Sequence, residues 1–331
     1  MKNQVSKLSQ KKHRTNKSRE GDSLSKIEDL KKLPSGLTDL DLSNKNVSDP
    51  GFLENLTNLQ NLNLSGNDIS DLRFLGKLQY LKSLDLSSNE ISDINFLENL
   101  TNLEYLSLSY NQISNAKILK KLFKLKNLDV SYNKINNVGF LANLMNLQTL
   151  ILEGNEIEDI SSINNKTNLQ TLELHNNKIS EVHFKGKISQ LRTINLSLNQ
   201  ISKISFSGNF DNLNELILDQ NKIRDIGFLE CLANLRCVNF QLNQISDISI
   251  LKKLKNLQTV ELRGNPIKNL KPLKWHIIEK KIDIIWDLDW NRDWYLETKG
   301  IVITPKTFTR PPVIIIKSGR KAWEKWFAEN E

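Results

Sequence analysis

Apolar residues recur along the chain at a fixed interval of 22 residues. Leucine opens a unit at position 37 and at every twenty-second residue thereafter up to position 257, which gives eleven consecutive units without an insertion. Each unit follows the pattern LxxLxLxxNxI, and a further apolar residue comes three positions later. The alternating LxL predicts a short strand with its leucines turned to one side. A single unit is too small to bury that side, so we predict that the units stack into a solenoid with one continuous core.

The ninth position of the unit is polar although it lies within the apolar pattern. It is Asn in ten units, from Asn67 to Asn265, and Lys45 in the first. An Asn amide offers donors and an acceptor, so a column of these side chains can satisfy backbone groups that are left buried where the chain leaves the strand. Asp would bring a charge into that column, and Leu would leave the backbone groups unsatisfied. We therefore predict that the Asn column is structural.

These features identify the unit as a leucine-rich repeat. In the form LxxLxxLxLxxNxIxDIxxL it resembles the subclass of bacterial internalins and of the eukaryotic regulatory subunit of type-1 protein phosphatase. The resemblance covers residues 37–273, about 70% of the chain. It implies an α/β solenoid of eleven units, with a concave parallel β-sheet and short helical or 3-10 segments on the convex side. Because this family shares a scaffold and not a function, regulation of a phosphatase is only an alternative by analogy.

The segments that flank the repeats predict caps for the ends of the solenoid. Residues 23–36 place Leu24, Ile27 and Leu30 at helical spacing, which favours an N-terminal cap helix. All six Trp lie between positions 275 and 326, so we interpret residues 274–331 as a Trp-rich C-terminal cap. Within it, residues 310–330 resemble the PPxxIxxxGxxAxxxxF segment that closes the repeats of Roco proteins and of many bacterial leucine-rich-repeat proteins. No GxxxxGKS or GxxxxGKT phosphate loop occurs in the sequence, so GTPase activity is not carried over.

The net charge of +8 is concentrated at the N-terminus. Residues 1–20 hold seven Lys or Arg and one Glu, a net charge of +6, whereas the remaining residues hold 39 bases and 37 acids. We interpret residues 1–22 as a disordered basic tail, because they contain no aromatic residue for base stacking and no amphipathic period. The alternative is an adaptor that this tail tethers to nucleic acid or to an anionic membrane. The tail also lacks the apolar core of a secretory signal, so we expect a cytoplasmic protein.

The sequence offers little that points to catalysis. The four His have no metal-ligand partners at useful spacing, and GDSL at 21–24 lacks the downstream Asp and His that a hydrolase with this motif needs. Cys231 and Cys237 give no disulfide framework, and we interpret both as small buried thiols. We therefore expect a non-enzymatic protein without a metal or a cofactor.

Positions 3, 5 and 7 of each unit are predicted to face outward on the concave sheet. These 33 positions hold nine acids and one base, Arg263, in a chain that has more bases than acids. Copying of the repeats would explain Asp at these positions, but it does not explain why Lys never enters them. We therefore predict an acidic recognition surface on a monomer, for a protein partner whose own surface is basic or polar.

Uncharged residues add possible anchors to this surface. Tyr105, Tyr110 and Tyr132 lie in adjacent units, and Tyr brings a large contact area at a small entropy cost. For Tyr110 and Tyr132 an alternative interpretation is equally good: the two rings pack on each other beside the Asn column and do not act as anchors. Ile217 and Leu242 are also predicted to be exposed. The predicted partner-binding residues are Asp85, Tyr105, Tyr110, Asp129, Tyr132, Ile151, Glu153, Glu173, His175, Glu215, Ile217, Asp219, Glu261 and Arg263.

Two units depart from the pattern on the convex side. Position 17 is Leu or Ile in nine units, but it becomes Lys185 and Ser207 in the seventh and eighth. Phe184 and Phe206 precede these residues. We predict that the convex segment changes conformation there and that the two Phe fill the core.

Overall fold

Short parallel strands stack into one long sheet in the computed structural model, which describes residues 34–164, 166–276, 283–286, 314–315 and 328. Each repeat contributes one strand of three residues, whose central residue is the second leucine of the unit or an Ile or Val in its place. The strands of the repeats are β1 (Asp39–Asp41), β2 (Asn61–Asn63), β3 (Ser83–Asp85), β4 (Tyr105–Ser107), β5 (Asn127–Asp129), β6 (Thr149–Ile151), β7 (Thr171–Glu173), β9 (Thr193–Asn195), β11 (Glu215–Ile217), β12 (Cys237–Asn239) and β13 (Thr259–Glu261).

The register of the sheet follows the repeat length. Each strand residue pairs with the residue 22 positions later, as Leu40 does with Leu62 and Leu84 with Leu106. Beyond the repeats the same sheet continues with β14 (Asp283–Trp286), which is parallel to β13, and with β15 (Ile314–Ile315), which is antiparallel to β14. One repeat is therefore one turn of the solenoid, and equivalent positions of all units form columns across the sheet.

The predicted Asn column satisfies buried backbone groups between successive turns. Asn133 shows the pattern: its Nδ2 donates to Leu108 O at 2.9 Å and to Val130 O at 3.1 Å, and its Oδ1 accepts the Ile113 N–H at 2.9 Å. The other nine members, from Asn67 to Asn265, make equivalent contacts. The leucines and isoleucines of the unit are buried beside this column. The structural role predicted for these Asn is confirmed.

A second Asn column, which the sequence analysis did not identify, lies at position 22 of the units. Asn102 Nδ2 donates to Gln79 O at 2.9 Å, and Asn146 Nδ2 donates to Phe123 O at 2.8 Å. These side chains are more exposed than the first column, and each joins its unit to the preceding one. The same contact is made by Asn58, Asn168, Asn212, Asn234 and Asn256.

Nine of the units return along the convex side through a short 3-10 helix. In all nine, position 13 is Asp or Asn, and its Oδ1 accepts the N–H of the first helical residue at 2.7–3.1 Å. A short polar side chain in this position favours a turn because it can bond the backbone two residues ahead. The helices are Gly51–Asn55, Arg73–Lys77, Asn95–Asn99, Lys117–Lys121, Gly139–Asn143, Ser161–Ile163, Gly227–Cys231, Ser249–Lys253 and Lys271–Leu273.

The seventh and eighth units instead form two convex strands, β8 (Glu181–Lys187) and β10 (Lys203–Asn209), which pair in parallel. Position 13 is Glu181 and Lys203 in these units, so the side chain that caps the 3-10 helix elsewhere is missing. Phe184 and Phe206 are buried with their ring centroids 5.1 Å apart. The predicted change of conformation and the core role of these Phe are confirmed.

Some of the remaining expectations concern described residues, and others concern residues outside them. Of the predicted N-terminal cap helix, residues 23–33 lie outside the described residues, and residues 34–36 form a turn. Most of residues 274–331 also lies outside them. The prediction of two buried thiols is wrong for Cys231, which is exposed at the end of a 3-10 helix, while Cys237 is half-buried in β12. Within the described chain no helix has the length and apolar character needed to span a bilayer.

Candidate functional site

The concave face is built from the side chains at positions 3, 5 and 7, as predicted. The central residue of each strand points into the core, so its two neighbours point to the opposite side of the sheet. Over the first four units this face forms a shallow, open depression, which we call the acidic depression. It is lined by Asp39, Leu40, Asp41, Asn61, Leu62, Asn63, Ser83, Asp85 and Tyr105.

Acids at position 5 cap the ends of the strands. Asp85 Oδ1 accepts the Ser87 N–H at 2.9 Å, and Asp129 Oδ1 accepts the Ser131 N–H at 2.9 Å. The uncharged Asn63 makes the same bond to Ser65 at 3.0 Å, and Asn195 and Asn239 do likewise. An uncharged oxygen acceptor therefore suffices for this bond, so the fold does not need a negative charge at this position.

Burial and mutual repulsion concentrate negative potential at the centre of the face. Burial raises the pKa of Asp129 above its usual range, although hydrogen bonds from Ser131 oppose the shift. Burial likewise raises the pKa of Glu173. The pKa of Tyr105 is raised to about 12, by burial first and then by the charges of Asp85 and Asp129. Burial is the largest cause of all three pKa shifts, and nearby like charges add to it.

Two acids of the face are already engaged within the protein. Glu153 Oε1 accepts the Tyr132 hydroxyl and is paired with His175 Nε2. Burial alone would raise the pKa of Glu153, but these contacts outweigh it and lower the pKa. Glu261 is buried and pairs with Arg263 Nε at 2.8 Å, so the one base of the face is neutralised locally.

Tyr110 and Tyr132 stack on each other, with ring centroids 4.3 Å apart and planes inclined by 15°. The alternative interpretation of mutual packing is thus confirmed for this pair, although Tyr110 remains 53% exposed and Tyr132 is half-buried. Tyr105 is 39% exposed at the start of β4, and Ile151 is half-buried in β6. Tyr105 and Tyr110 therefore offer the accessible aromatic surface of this region.

Position 8 of every unit adopts a left-handed backbone, and four units place a bulky residue there. The φ values are 55° for Tyr110, 50° for Tyr132, 53° for Leu198 and 54° for Leu242. This conformation is uncommon for bulky residues, and it persists here because the neighbouring hydrogen bonds impose it. Leu198 and Leu242 are 44% and 47% exposed. The exposure of Leu198 was not predicted from the sequence. Gly or Asn at position 8 of several other units is nevertheless a sequence signal for a left-handed backbone at this position.

The predicted site residues do not form one compact site. Asp85 and Arg263 lie eight strands apart, about 40 Å at the usual strand spacing. Ile217 is half-buried rather than exposed, and Asp219 Oδ1 accepts the Asn239 amide at 3.1 Å. The continuous candidate surface covers the third to seventh units, and it contains Asp85, Tyr105, Tyr110, Asp129, Tyr132, Ile151, Glu153, Glu173 and His175. Glu215, Ile217, Asp219, Glu261 and Arg263 form a separate group near the C-terminal end.

The described side chains provide no obvious reactive centre. Nowhere in the described part of the chain do three or more His, Cys, Asp or Glu converge closely enough to hold a metal ion. The open concave face instead combines unpaired carboxylates, exposed aromatic rings and short polar side chains. Such a surface can bind another molecule by charge and by aromatic contact.

Comparison with known proteins defines the class. Leucine-rich-repeat profiles match residues 57–99, 79–121, 146–186 and 233–275 as paired repeats, and residues 121–142 as a single repeat. These matches together cover just over half of the chain, so the chain belongs to the leucine-rich-repeat proteins. No curated protein sequence matches it.

Solved structures of other leucine-rich-repeat proteins are similar to this one. An internalin from Listeria monocytogenes is 28% identical with a TM-score of 0.59, and the match covers 76% of this chain and 87% of the internalin. A leucine-rich-repeat protein of Leptospira interrogans is 26% identical with a TM-score of 0.51, over 71% of this chain and 74% of that one. The ectodomain of the plant receptor kinase GASSHO1 from Arabidopsis thaliana, solved with CASPARIAN STRIP INTEGRITY FACTOR 2, is 21% identical with a TM-score of 0.52. That match covers 77% of this chain and 39% of the receptor, and it shows the fold alone.

Proposed function

We propose that this protein is a non-enzymatic interaction scaffold that binds a protein partner through its acidic, tyrosine-bearing concave face. The leucine-rich-repeat fold is typical of protein-interaction scaffolds and is generally non-catalytic. The partner would present a basic or polar surface to the third to seventh units.

One observation carries the proposal: the concave columns contain nine acids and one base, and that base is paired with Glu261. Asn63 and Asn195 show that the capping bond at position 5 can be made without a charge. The charges of Asp85 and Asp129 are therefore not explained by the fold. A binding surface for a cationic partner explains them, because complementary charge speeds association and selects the partner.

The test uses the full-length protein as immobilised bait in an extract of its source cell. Wild type is compared with a variant carrying Asp85→Asn and Asp129→Asn, which removes two charges and retains both capping oxygens. We expect captured partner, quantified by mass spectrometry, to fall at least about tenfold, roughly 1.4 kcal/mol. The matched control carries Asp93→Asn and Asp159→Asn, which removes two charges from the convex side and likewise retains the caps.

Equal capture by wild type and the concave variant would overturn the proposal. Capture that instead disappears when the basic tail is neutralised would favour the tethered adaptor. A further variant, Tyr105→Ala with Ile151→Ala, tests the anchors directly. We expect weaker partner binding and a nearly unchanged melting temperature, whereas a large drop in melting temperature would place these side chains in the core.

A further inference from the structure

The charges of the described surface are not uniformly compensated. Many lysines pair with a glutamate of the preceding turn, as Lys126 does with Glu104 at 2.7 Å and Lys253 with Glu230 at 2.6 Å. The acidic depression is different, because no Lys, Arg or His is among the residues that line it. Within the described chain, none of its three aspartates takes part in an ion pair.

Hydrogen bonds favour the charged form of two aspartates of the acidic depression, Asp39 and Asp41. Hydrogen bonds from Thr38 at 2.6 Å and from Asn61 at 2.5 Å lower the pKa of Asp39. Bonds from Ser43, first from its backbone N–H at 2.8 Å, lower the pKa of Asp41. Neutral donors stabilise both carboxylates without cancelling their charge. Lys45 adds only the smallest contribution, to the pKa of Asp41. At neutral pH the depression is therefore an anionic surface with no cation among its lining residues.

The basic tail, residues 1–20, carries a net charge of +6, which is most of the net charge of +8 of the whole chain. It holds seven Lys or Arg against one Glu, while the rest of the chain is nearly neutral. We propose that this tail occupies the acidic depression of its own chain and competes there with the partner. This inference rests on the proposed role of the concave face as the binding surface, and it adds regulation to that role.

Chain length permits this contact. Fourteen residues, 20–33, lie between Arg19 and Pro34, the first described residue. A chain of that length spans about 20 Å, whether as the average end-to-end distance of a flexible segment or as the axial length of a helix. The depression covers four neighbouring strands, a width of about 14 Å. A tethered ligand that can reach its site acts at an effective concentration in the millimolar range. Even a weak attraction would therefore keep the tail on the depression much of the time.

The chemistry of the depression also fits Lys and Arg side chains. Tyr105 lies at its far edge, 39% exposed and near Asp85. A tyrosine ring attracts Lys and Arg across its face, and a carboxylate beside the ring strengthens that attraction. Asn61, Asn63 and Ser83 supply polar contacts between the acids.

The experiment measures binding of a fluorescently labelled synthetic peptide of residues 1–20 to full-length proteins by anisotropy at low ionic strength. The proteins are wild type and a tail-neutralised chain in which all seven Lys and Arg of residues 1–20 are replaced by Gln. We expect the tail-neutralised chain to bind the peptide at least about tenfold more tightly, because its own tail no longer competes. Binding should weaken as salt is raised.

Two further full-length variants locate the contact. In the tail-neutralised background, Asp39→Asn, Asp41→Asn and Asp85→Asn together should abolish peptide binding. The matched control, Asp49→Asn, Asp93→Asn and Asp159→Asn, removes three convex charges and keeps their capping bonds, so peptide binding should persist.

Equal peptide affinity for wild type and the tail-neutralised chain overturns the inference, and so does binding that survives the three concave substitutions. A tail that instead confers binding to RNA or to anionic vesicles, with no effect of the concave substitutions, also overturns it. No partner is present in this assay. If the tail peptide binds but no partner is captured from the extract, only the proposed function is rejected. If a partner is captured but the tail peptide does not bind, only the contact between the tail and the depression is rejected.

Discussion

Lys166 occupies a core position that is Leu in most of the units. Position 20 is Leu144 in the preceding unit and Ile188 in the following one, and both are buried. Lys166 is only 2% exposed, and its Nζ donates to Ala142 O at 3.3 Å and lies 3.4 Å from Met145 Sδ. Among the described residues no carboxylate pairs with it, and burial lowers its pKa. The amine is thus desolvated with only two long contacts in return.

Replacing this amine with the residue of the neighbouring units should stabilise the protein. Lys166→Leu retains an apolar side chain in the core and removes a poorly satisfied polar group, whose burial costs about 1–3 kcal/mol. At about 2–4 °C per kcal/mol for a chain of this size, the melting temperature should rise by about 2–12 °C. The gain is measured by thermal unfolding followed by circular dichroism at pH 7.

The pH dependence tests the cause. Because the pKa of Lys166 is lower in the folded state, the unfolded chain binds more protons between that pKa and the usual value of 10.5. Wild-type stability should therefore gain from deprotonation as pH rises through this window, and the advantage of Lys166→Leu should shrink toward pH 10.5. The control Lys252→Leu changes an exposed lysine and should alter stability by no more than about 0.5 kcal/mol. A lower melting temperature for Lys166→Leu than for wild type would refute the reasoning.

Three other substitutions test how the turns of the solenoid are joined. Asn133→Leu leaves the Ile113 N–H and two carbonyls without their partner, so we expect the free energy of unfolding, measured in urea, to fall by about 3 kcal/mol or more. Asn146→Ala, in the exposed column, should lower it by less than about 1.5 kcal/mol. Equal losses for the two variants would contradict the distinction between the columns. Gly208→Ala would place a Cβ 2.2 Å from Gly186 O at a φ of 143°, so we expect the free energy of unfolding to fall by at least about 2 kcal/mol. An unchanged melting temperature would show that the two convex strands can separate without cost.

The repeat units made much of the fold predictable. The strands and the turn of 22 residues follow from local patterns that recur in eleven units, and the Asn column follows from a residue that recurs in ten of them. Each unit therefore supports the interpretation of the next. The convex strands were predicted only as a change of conformation at Lys185 and Ser207. A sharper signal was present at position 13, where Glu181 and Lys203 replace the Asp or Asn that caps every 3-10 helix of the described repeats.

The candidate surface was predictable in outline and not in detail. The alternation of the strand shows which residues face outward, so the excess of acids at positions 3, 5 and 7 could be counted directly. Alternation does not show which of those acids already has a partner. Glu153 and Glu261 looked equivalent to Asp85 in the sequence, yet His175 and Arg263 pair with them in the folded chain.

The sequence by itself determined the periodic scaffold, because the burial of each leucine depends on a pattern that lies within one unit and is repeated in its neighbours. Only the tertiary structure decided which charges remain uncompensated and which aromatic rings stay exposed. Glu261 and Arg263 pair within one unit, but most of these properties depend on side chains about 22 residues apart, such as the stack of Tyr110 on Tyr132 and the bond from Tyr132 to Glu153. Stacking of the turns brings these groups into contact across the sheet, and no single unit contains both members of such a pair.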